Sequence, residues 1–199
     1  SIVRHEGSNL NDKKWDYGGY IQLNDLGKIK TLVAGDYQAT YGYGLVVGSP
    51  FKRGKTAYIQ STATTDEGLK KLSSIGDGYN GFHGIGMMAS MGKKANISTF
   101  YSLQNEKNNS WNHVVGVNVT SKWKKIKVGV TAIENISKPT QALVENDIKN
   151  EPQSEKRETN TQALIGANAR YNYGKIDLWG EVAVSQGTQW GIAGITGMR

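Results

Sequence analysis

The chain has 199 residues, enough for one domain with a sizeable core, yet only 37% of them are hydrophobic. It has no cysteine, which excludes disulfides and thiolate metal sites; 24 Lys and Arg against 17 Asp and Glu leave a net charge of +7, compatible with nucleic acid or anionic lipid. No run of about 18 apolar residues occurs, which excludes a transmembrane helix, and 25 glycines and 10 tyrosines against three prolines favour strands and turns over packed helices.

Weak two-residue alternation over residues 16–24 opens the series of elements. From Ile29 to Tyr41 the pattern is clear: Ile29, Thr31, Val33, Tyr37, Ala39 and Tyr41 alternate with Lys30, Asp36, Gln38 and Thr40. A period of two predicts a strand with one apolar and one polar face. Gly54-Lys55-Thr56 then imitates the close of a phosphate-binding P-loop. Gly48 leaves five intervening residues where four are required, and no amphipathic helix follows, so nucleotide binding is not expected.

A weaker strand is predicted over 82–91. In Ala95 to Gln104, Ala95, Ile97, Tyr101 and Leu103 oppose Asn96, Ser98, Ser102 and Gln104. Val115, Val117, Val119 and Trp123 oppose Asn118, Thr120 and Lys122; after a tight turn Ile126, Val128, Val130 and Ala132 oppose Lys127, Thr131 and Asn135. Ala163, Ile165, Ala167, Ala169, Tyr171 and Tyr173 oppose Gln162, Asn168, Arg170 and Asn172, and Ile176, Leu178, Val182 and Val184 oppose Lys175, Asp177 and Glu181. A last weak strand covers 190–199, giving nine.

The connections alternate too. Short turns fall at 25–27, 92–94, 124–125 and 172–174, and longer polar loops at 43–81, 105–112, 137–160 and, weakly, 186–189. Strands of this length joined in this way predict an all-β, antiparallel up-and-down transmembrane β-barrel with short periplasmic turns and long extracellular loops. Low hydrophobicity follows, since only alternate residues meet lipid while the lumen is wet. Aromatic girdles are expected from Trp123, Tyr171, Tyr173 and Trp179 near the short turns and from Tyr41, Tyr43, Tyr101 and Trp111 near the long loops. Lys28, Lys30, Lys93, Lys94, Lys122, Lys124, Lys125, Lys127 and Lys175 border the short turns, as a basic rim against anionic headgroups or as ordinary solvated turn residues. Residues 1–199 read as a single barrel region with no separate soluble domain. Nine is an odd number and the chain ends inside an apparent strand, so a part of a larger barrel is expected.

Seven polar residues are expected to face the lumen: Lys30, Asp36, Gln38, Asn168, Arg170, Asp177 and Glu181. They would set selectivity in a pore or form a bracing ladder, with Asp36 paired to Lys30 or Arg170. Gly42 and Gly44 are expected to act as a hinge that bends the chain out of the sheet at the rim. Lys52, Arg53 and Lys55 are loop candidates for lipopolysaccharide phosphates or a partner, against the plainer reading of a solvated loop. The three histidines, His5, His83 and His113, lack ligand spacing, so no metal is expected. No cofactor and no enzymatic activity are expected either, although a Ser-His-Asp set assembled across strands stays open.

"KTLVAGDYQATYGYGLVV", followed by "GKT" and by "GFHGIGMMASMGKKANISTFYS", resembles the barrel region of a Bacteroidota outer-membrane family that carries a competence-type helix-hairpin-helix segment ahead of a large barrel. Gly35, Asp36, Tyr37, Gln38, Gly42, Gly44, Leu45, Phe100, Tyr101 and Ser102 carry the resemblance, within residues 15–104. It implies location in a bacterial outer membrane and contact with outer-membrane lipid, lipopolysaccharide and other outer-membrane proteins. The helix-hairpin-helix segment is not in these residues, so nucleic acid is not an expected partner of this region. The expected function is a pore, scaffold or component of an envelope assembly; the alternatives are a DNA-uptake or surface-binding module and an outer-membrane hydrolase.

Overall fold

Alternating side chains and tight turns fold into a meander. The computed structural model describes residues 2–6, 14–48, 68–71, 81–106, 110–139 and 160–199, and among them there are twelve strands and no helix. Strands β1 (Ile2–Glu6) and β2 (Lys14–Gly18) pair with each other alone. The main sheet holds β3 (Tyr20–Leu26), β4 (Ile29–Thr40), β5 (Gly68–Lys71), β6 (Phe82–Met91), β7 (Ala95–Glu106), β8 (Ser110–Trp123), β9 (Ile126–Pro139), β10 (Asn160–Tyr173), β11 (Ile176–Gln186) and β12 (Trp190–Met198). Its order is β12-β11-β10-β9-β8-β7-β6-β4-β3, with β5 added to β4. Every pairing is antiparallel. The sheet is open: β3 and β12 are edges and do not pair with each other. All nine expected strands are present on this path, the first of them broken at Gly19 between β2 and β3.

Four tight turns, such as the one at Gly174 with its left-handed φ of 61°, gather at what we call the turn end of the sheet. The opposite, loop end carries the longer connections. The sheet's two faces differ sharply. One is covered by the chain's own residues and the other is open.

The covering layer begins inside β4. Gly35 holds a φ of 96°, in the region that side chains rarely adopt, and a Cβ there would overlap the backbone carbonyl of Gly19. Beyond this kink, residues 37–40 pair with β5, and Leu69 of β5 packs on Gly86 and Val33. Residues 41–48 continue the layer: Tyr41 stacks on Phe100 of β7 with centroids 6.0 Å apart, and Val46 lies against Gly166 of β10. The resulting core of Val33, Tyr37, Ala39, Tyr41, Val47, Leu69, Phe100 and Val114 sits between layer and sheet. Each of the valine, leucine and phenylalanine side chains among them contributes about 1.5–3 kcal/mol on burial. Tyr37 anchors the layer twice over, its hydroxyl donating to the Tyr101 carbonyl at 2.9 Å and lying 3.3 Å from that of Ile85.

This layer corrects three expectations. Of the odd residues from Ile29 to Tyr41, expected to face lipid, Val33, Tyr37, Ala39 and Tyr41 are instead buried in the core. Residues 43–48 fold across the sheet rather than outward, and residues 68–71, expected in a loop, form β5. The cause is a small hinge followed by a run of apolar and aromatic residues, which gain more from burial than from solvent.

Phe100 is accommodated because its neighbour across the ladder is Gly116, where a Cβ would overlap the ring. Gly116→Ala is therefore expected to lower stability by about 1–3 kcal/mol through overpacking. Denaturant unfolding checks this; an unchanged midpoint would place the Phe100 ring elsewhere.

Candidate functional site

On the covered face the polarity changes along the strands. Toward the loop end, Phe100, Gly116, Ile133 and Leu164 form one row in register beneath the apolar layer. Toward the turn end the next row is polar: Ser98, Asn118 and Thr131, of which Asn118 and Thr131 are only 3% and 2% exposed. Asn118 Nδ2 donates to Thr131 Oγ1 at 2.9 Å, and Thr120 Oγ1 donates to Asn118 Oδ1 at 2.8 Å. Buried amides and hydroxyls persist because each finds such a partner.

Glu181 is the centre of the site. Its side chain rises from the covered face of β11, is 3% exposed, and its Oε2 accepts the backbone N–H of Tyr43 at 2.6 Å and that of Leu45 at 3.3 Å. Gly42 and Gly44 have left-handed φ values of 59° and 90°, which turn the N–H groups of Tyr43 and Leu45 toward one carboxylate while that of Gly44 donates to the Tyr41 carbonyl at 3.3 Å. A Cβ on Gly42 would meet Glu181 Oε1 at 2.9 Å, so the backbone can approach only as glycine. Tyr43 then stacks on Trp179 with centroids 4.6 Å apart. Five strands separate β4 from β11 in the sheet, so the segment 41–48 runs from β4 across the face and is clasped on the far side.

The expected site residues fall in different places. Asn168, Asp177 and Glu181 are buried on the covered face, with Arg170 half-buried beside them. Arg170 forks onto Asp177, Nε to Oδ1 at 2.8 Å and Nη2 to Oδ2 at 2.5 Å, and Arg199 Nη2 lies 3.4 Å from Oδ2. A bidentate fork of this kind fixes both side chains. Gln38 is half-buried in the covering layer. Lys30 is exposed, at the point where β4 slips one residue against β6. Asp36 pairs with neither Lys30 nor Arg170: the Gly35 kink turns it toward β6, where Oδ1 meets His83 Nδ1 at 2.8 Å and Oδ2 accepts the Gly19 N–H at 2.6 Å. Gly42 and Gly44 do bend the chain, inward over the sheet rather than out at the rim. Lys52, Arg53 and Lys55 lie outside the described residues.

Ser102, His83 and Asp36 stand close together, but Ser102 Oγ accepts the His83 backbone N–H at 3.0 Å rather than meeting the imidazole, and Ser102 is fully buried. That contact orients a strand, not a nucleophile. Among the described residues no cluster of three metal-ligating side chains occurs.

The open face has the opposite character. Ile21, Leu23, Ile85, Val115, Val117, Val119, Val130, Ile165, Leu178, Val182 and Ile192 are all exposed there, Ile165 to 54% and Val130 to 49%. A hollow of about 920 Å³ is lined by residues that include Ile85, Tyr101, Val115, Val117, Ile165 and Trp190. Two aromatic tiers bound the apolar band. Tyr101, Val115, Glu134, Ala163, Gln186 and Trp190 share one row, and Trp123, Ile126, Tyr171 and Leu178 share another eight residues along the strands. At about 3.4 Å per residue the tiers are roughly 27 Å apart along the strand. Trp179 and Tyr43, expected in the girdles, stack on each other on the covered face instead, and Tyr41 is buried in the core. Trp190 was not foreseen as a tier member. At and beyond the Trp123 tier the lysines 28, 93, 94, 122, 124, 125 and 175 are exposed, Lys125 lying 3.6 Å over the Tyr173 ring.

Comparison with protein-family models, with curated proteins and with solved structures finds no match.

Proposed function

We propose that the chain forms wall of a bacterial outer-membrane β-barrel whose inner face is occupied by its own residues 36–48, and that it acts as a scaffold or assembly component in the envelope rather than as an open channel. The observation that carries this reading is the inversion of polarity: isoleucine, leucine and valine stand exposed on one face while Asn118, Thr131, Asn168, Asp177 and Glu181 are buried on the other. Water would favour the reverse, and lipid favours this arrangement. The aromatic tiers at either margin of the band fit interfacial girdles, and the basic turn end fits anionic headgroups, each lysine near such a surface contributing about 1 kcal/mol. Outer-membrane lipid and lipopolysaccharide are accordingly the proposed contacts, in keeping with the resemblance to the Bacteroidota barrel family.

Scaffold is preferred over pore because residues 41–48 and 68–71 lie against the face that a channel would need clear. Val130 sits at the centre of the band, between Ile126 in one tier and Glu134 in the other. Val130→Arg is expected to cost about 2–4 kcal/mol of folding free energy in phosphatidylcholine vesicles, and Ile126→Arg only about 0–1 kcal/mol, because the cost of charge falls toward the interface. Equal, near-zero costs at both positions would contradict a lipid-facing surface, since exposed sites in water change stability within about ±0.5 kcal/mol.

A further inference from the structure

Not every cation at the turn end belongs to the open face. On the covered face Lys122 of β8 stands directly opposite Lys127 of β9, and Lys127 stands opposite Arg170 of β10. The row reaches one strand further the other way: the ladder of β7 with β8 continues past Ala95 and Ser121, where the Lys122 N–H donates to the Lys94 carbonyl at 2.8 Å. Lys94, Lys122, Lys127 and Arg170 therefore form one cross-strand row over four neighbouring strands, on the same face as Ser98, Asn118, Thr131 and Asn168. At about 4.8 Å between strands the row is roughly 14 Å long.

Like charges directly opposite each other destabilise a ladder, and this row has three such pairs and no acid to offset them. It continues only into Trp179 and Gly197. The adjacent row toward the covering layer brings Asn96, Thr120, Gly129 and Asn168, and its one carboxylate, Glu181, accepts from Tyr43 and Leu45. The adjacent row toward the turns brings Asn172 and Asp177, and Asp177 is forked by Arg170 and met by Arg199. Lys94 and Lys122 are exposed and Lys127 is half-buried, so the covering layer leaves the lysines accessible. Cations held in line against their own repulsion suit an anion from outside the chain.

The residue types select among anions. The planar fork of Arg170, which matches a carboxylate, is already engaged by Asp177. The three lysines offer compact point charges with rotating donors, which suit phosphate. The side of the sheet matters as well. Headgroups meet the open face in the proposed membrane arrangement, so a ligand of this row comes from the aqueous side.

We propose that Lys94, Lys122, Lys127 and Arg170 form a binding site for a soluble polyphosphate-type anion, whose successive phosphate groups lie across β7 to β10 at the turn end of the covered face. The row is fixed by strand register and stands without the membrane reading; only the exclusion of headgroups rests on it.

The test uses the 199-residue chain in nonionic detergent micelles at low salt, with inorganic tripolyphosphate as the probe and titration calorimetry as the readout. Tripolyphosphate is expected to bind at least tenfold more tightly than orthophosphate. Lys122→Gln and Lys127→Gln are each expected to weaken it at least fivefold. Lys93→Gln and Lys175→Gln remove the same charge from turns outside the row and are expected to change it less than twofold. Equal weakening by all four variants would mean that the net charge of +7 holds the anion, and overturns the proposal, as does the absence of binding. Lys122→Gln also relieves two like-charge pairs, so without the anion its denaturation midpoint is expected to equal or exceed that of the parent. A lower midpoint would give the row a structural role and overturn its assignment as a site. Phosphatidylglycerol doped sparingly into the micelles separates the two sources of phosphate: less than a twofold change in tripolyphosphate affinity is expected, and competition by the lipid would assign the row to headgroups instead. None of these readouts requires the open face to meet a bilayer, so this proposal and the membrane reading fail separately.

Discussion

Glu181→Ala is expected to lower stability by roughly 2–4 kcal/mol, since it strips the acceptor from two half-buried backbone donors, each costing about 1–3 kcal/mol when left unpaired. Those donors, on Tyr43 and Leu45, lie 138 and 136 residues from Glu181 in sequence, so the carboxylate ties the segment after β4 to the distant strand β11. Glu181→Gln keeps one acceptor oxygen and is expected to cost about 1–2 kcal/mol. Denaturant unfolding in micelles separates the two. With the clasp gone, segment 41–48 is free to leave the covered face, and planar-bilayer conductance is expected to rise in Glu181→Ala and to stay near the parent value in Glu181→Gln. Equal stability and equal conductance in both variants would mean that the segment is held by its apolar contacts alone.

Gly35→Ala is expected to be at least as damaging, at roughly 3–5 kcal/mol. Two terms act together: a side chain at φ 96° strains the backbone by about 1–3 kcal/mol, and the new Cβ overlaps the Gly19 carbonyl, a backbone atom that cannot swing aside. Relief requires β3 and β4 to part, which removes Asp36 from the Gly19 N–H and the covering layer from the sheet. Amide exchange should show the loss concentrated in residues 36–48. Uniform weakening across β7 to β12 would contradict the assignment of Gly35 as the local hinge.

What could be read from the sequence follows from what is local. Period-two alternation and tight turns located all nine strands of the meander, and alternation in β8, β9 and β10 placed Val117, Val130 and Ile165 on one face and Asn118, Thr131 and Asn168 on the other. In β4 the same alternation pointed the wrong way, because its apolar residues bury against a second layer of the same chain, and nothing in the local pattern distinguishes that from lipid. A glycine-rich stretch, GYGLVVG, reads as a loop; it becomes an inner layer through Glu181, Trp179 and Gly166, and contacts that distant leave no periodic trace. Asp36 was assigned the wrong partners because the kink at Gly35 precedes it directly. Trp179 is different. Counting alternate residues in β11 places it with Asp177 and Glu181, so its covered position was available from the sequence and was overridden by the expectation that tryptophans line a membrane interface.

Whether lipid meets the open face can be tested cleanly, because the chain contains no cysteine. Single cysteines at each position from Ala163 to Arg170, labelled with a fluorophore in chain refolded into phosphatidylcholine vesicles, can be quenched by nitroxide attached to the acyl chains. Strong quenching is expected at 163, 165, 167 and 169 and weak quenching at 164, 166, 168 and 170. Quenching without that two-residue period, or odd positions reached by a water-soluble quencher and not by the lipid-borne one, would contradict it.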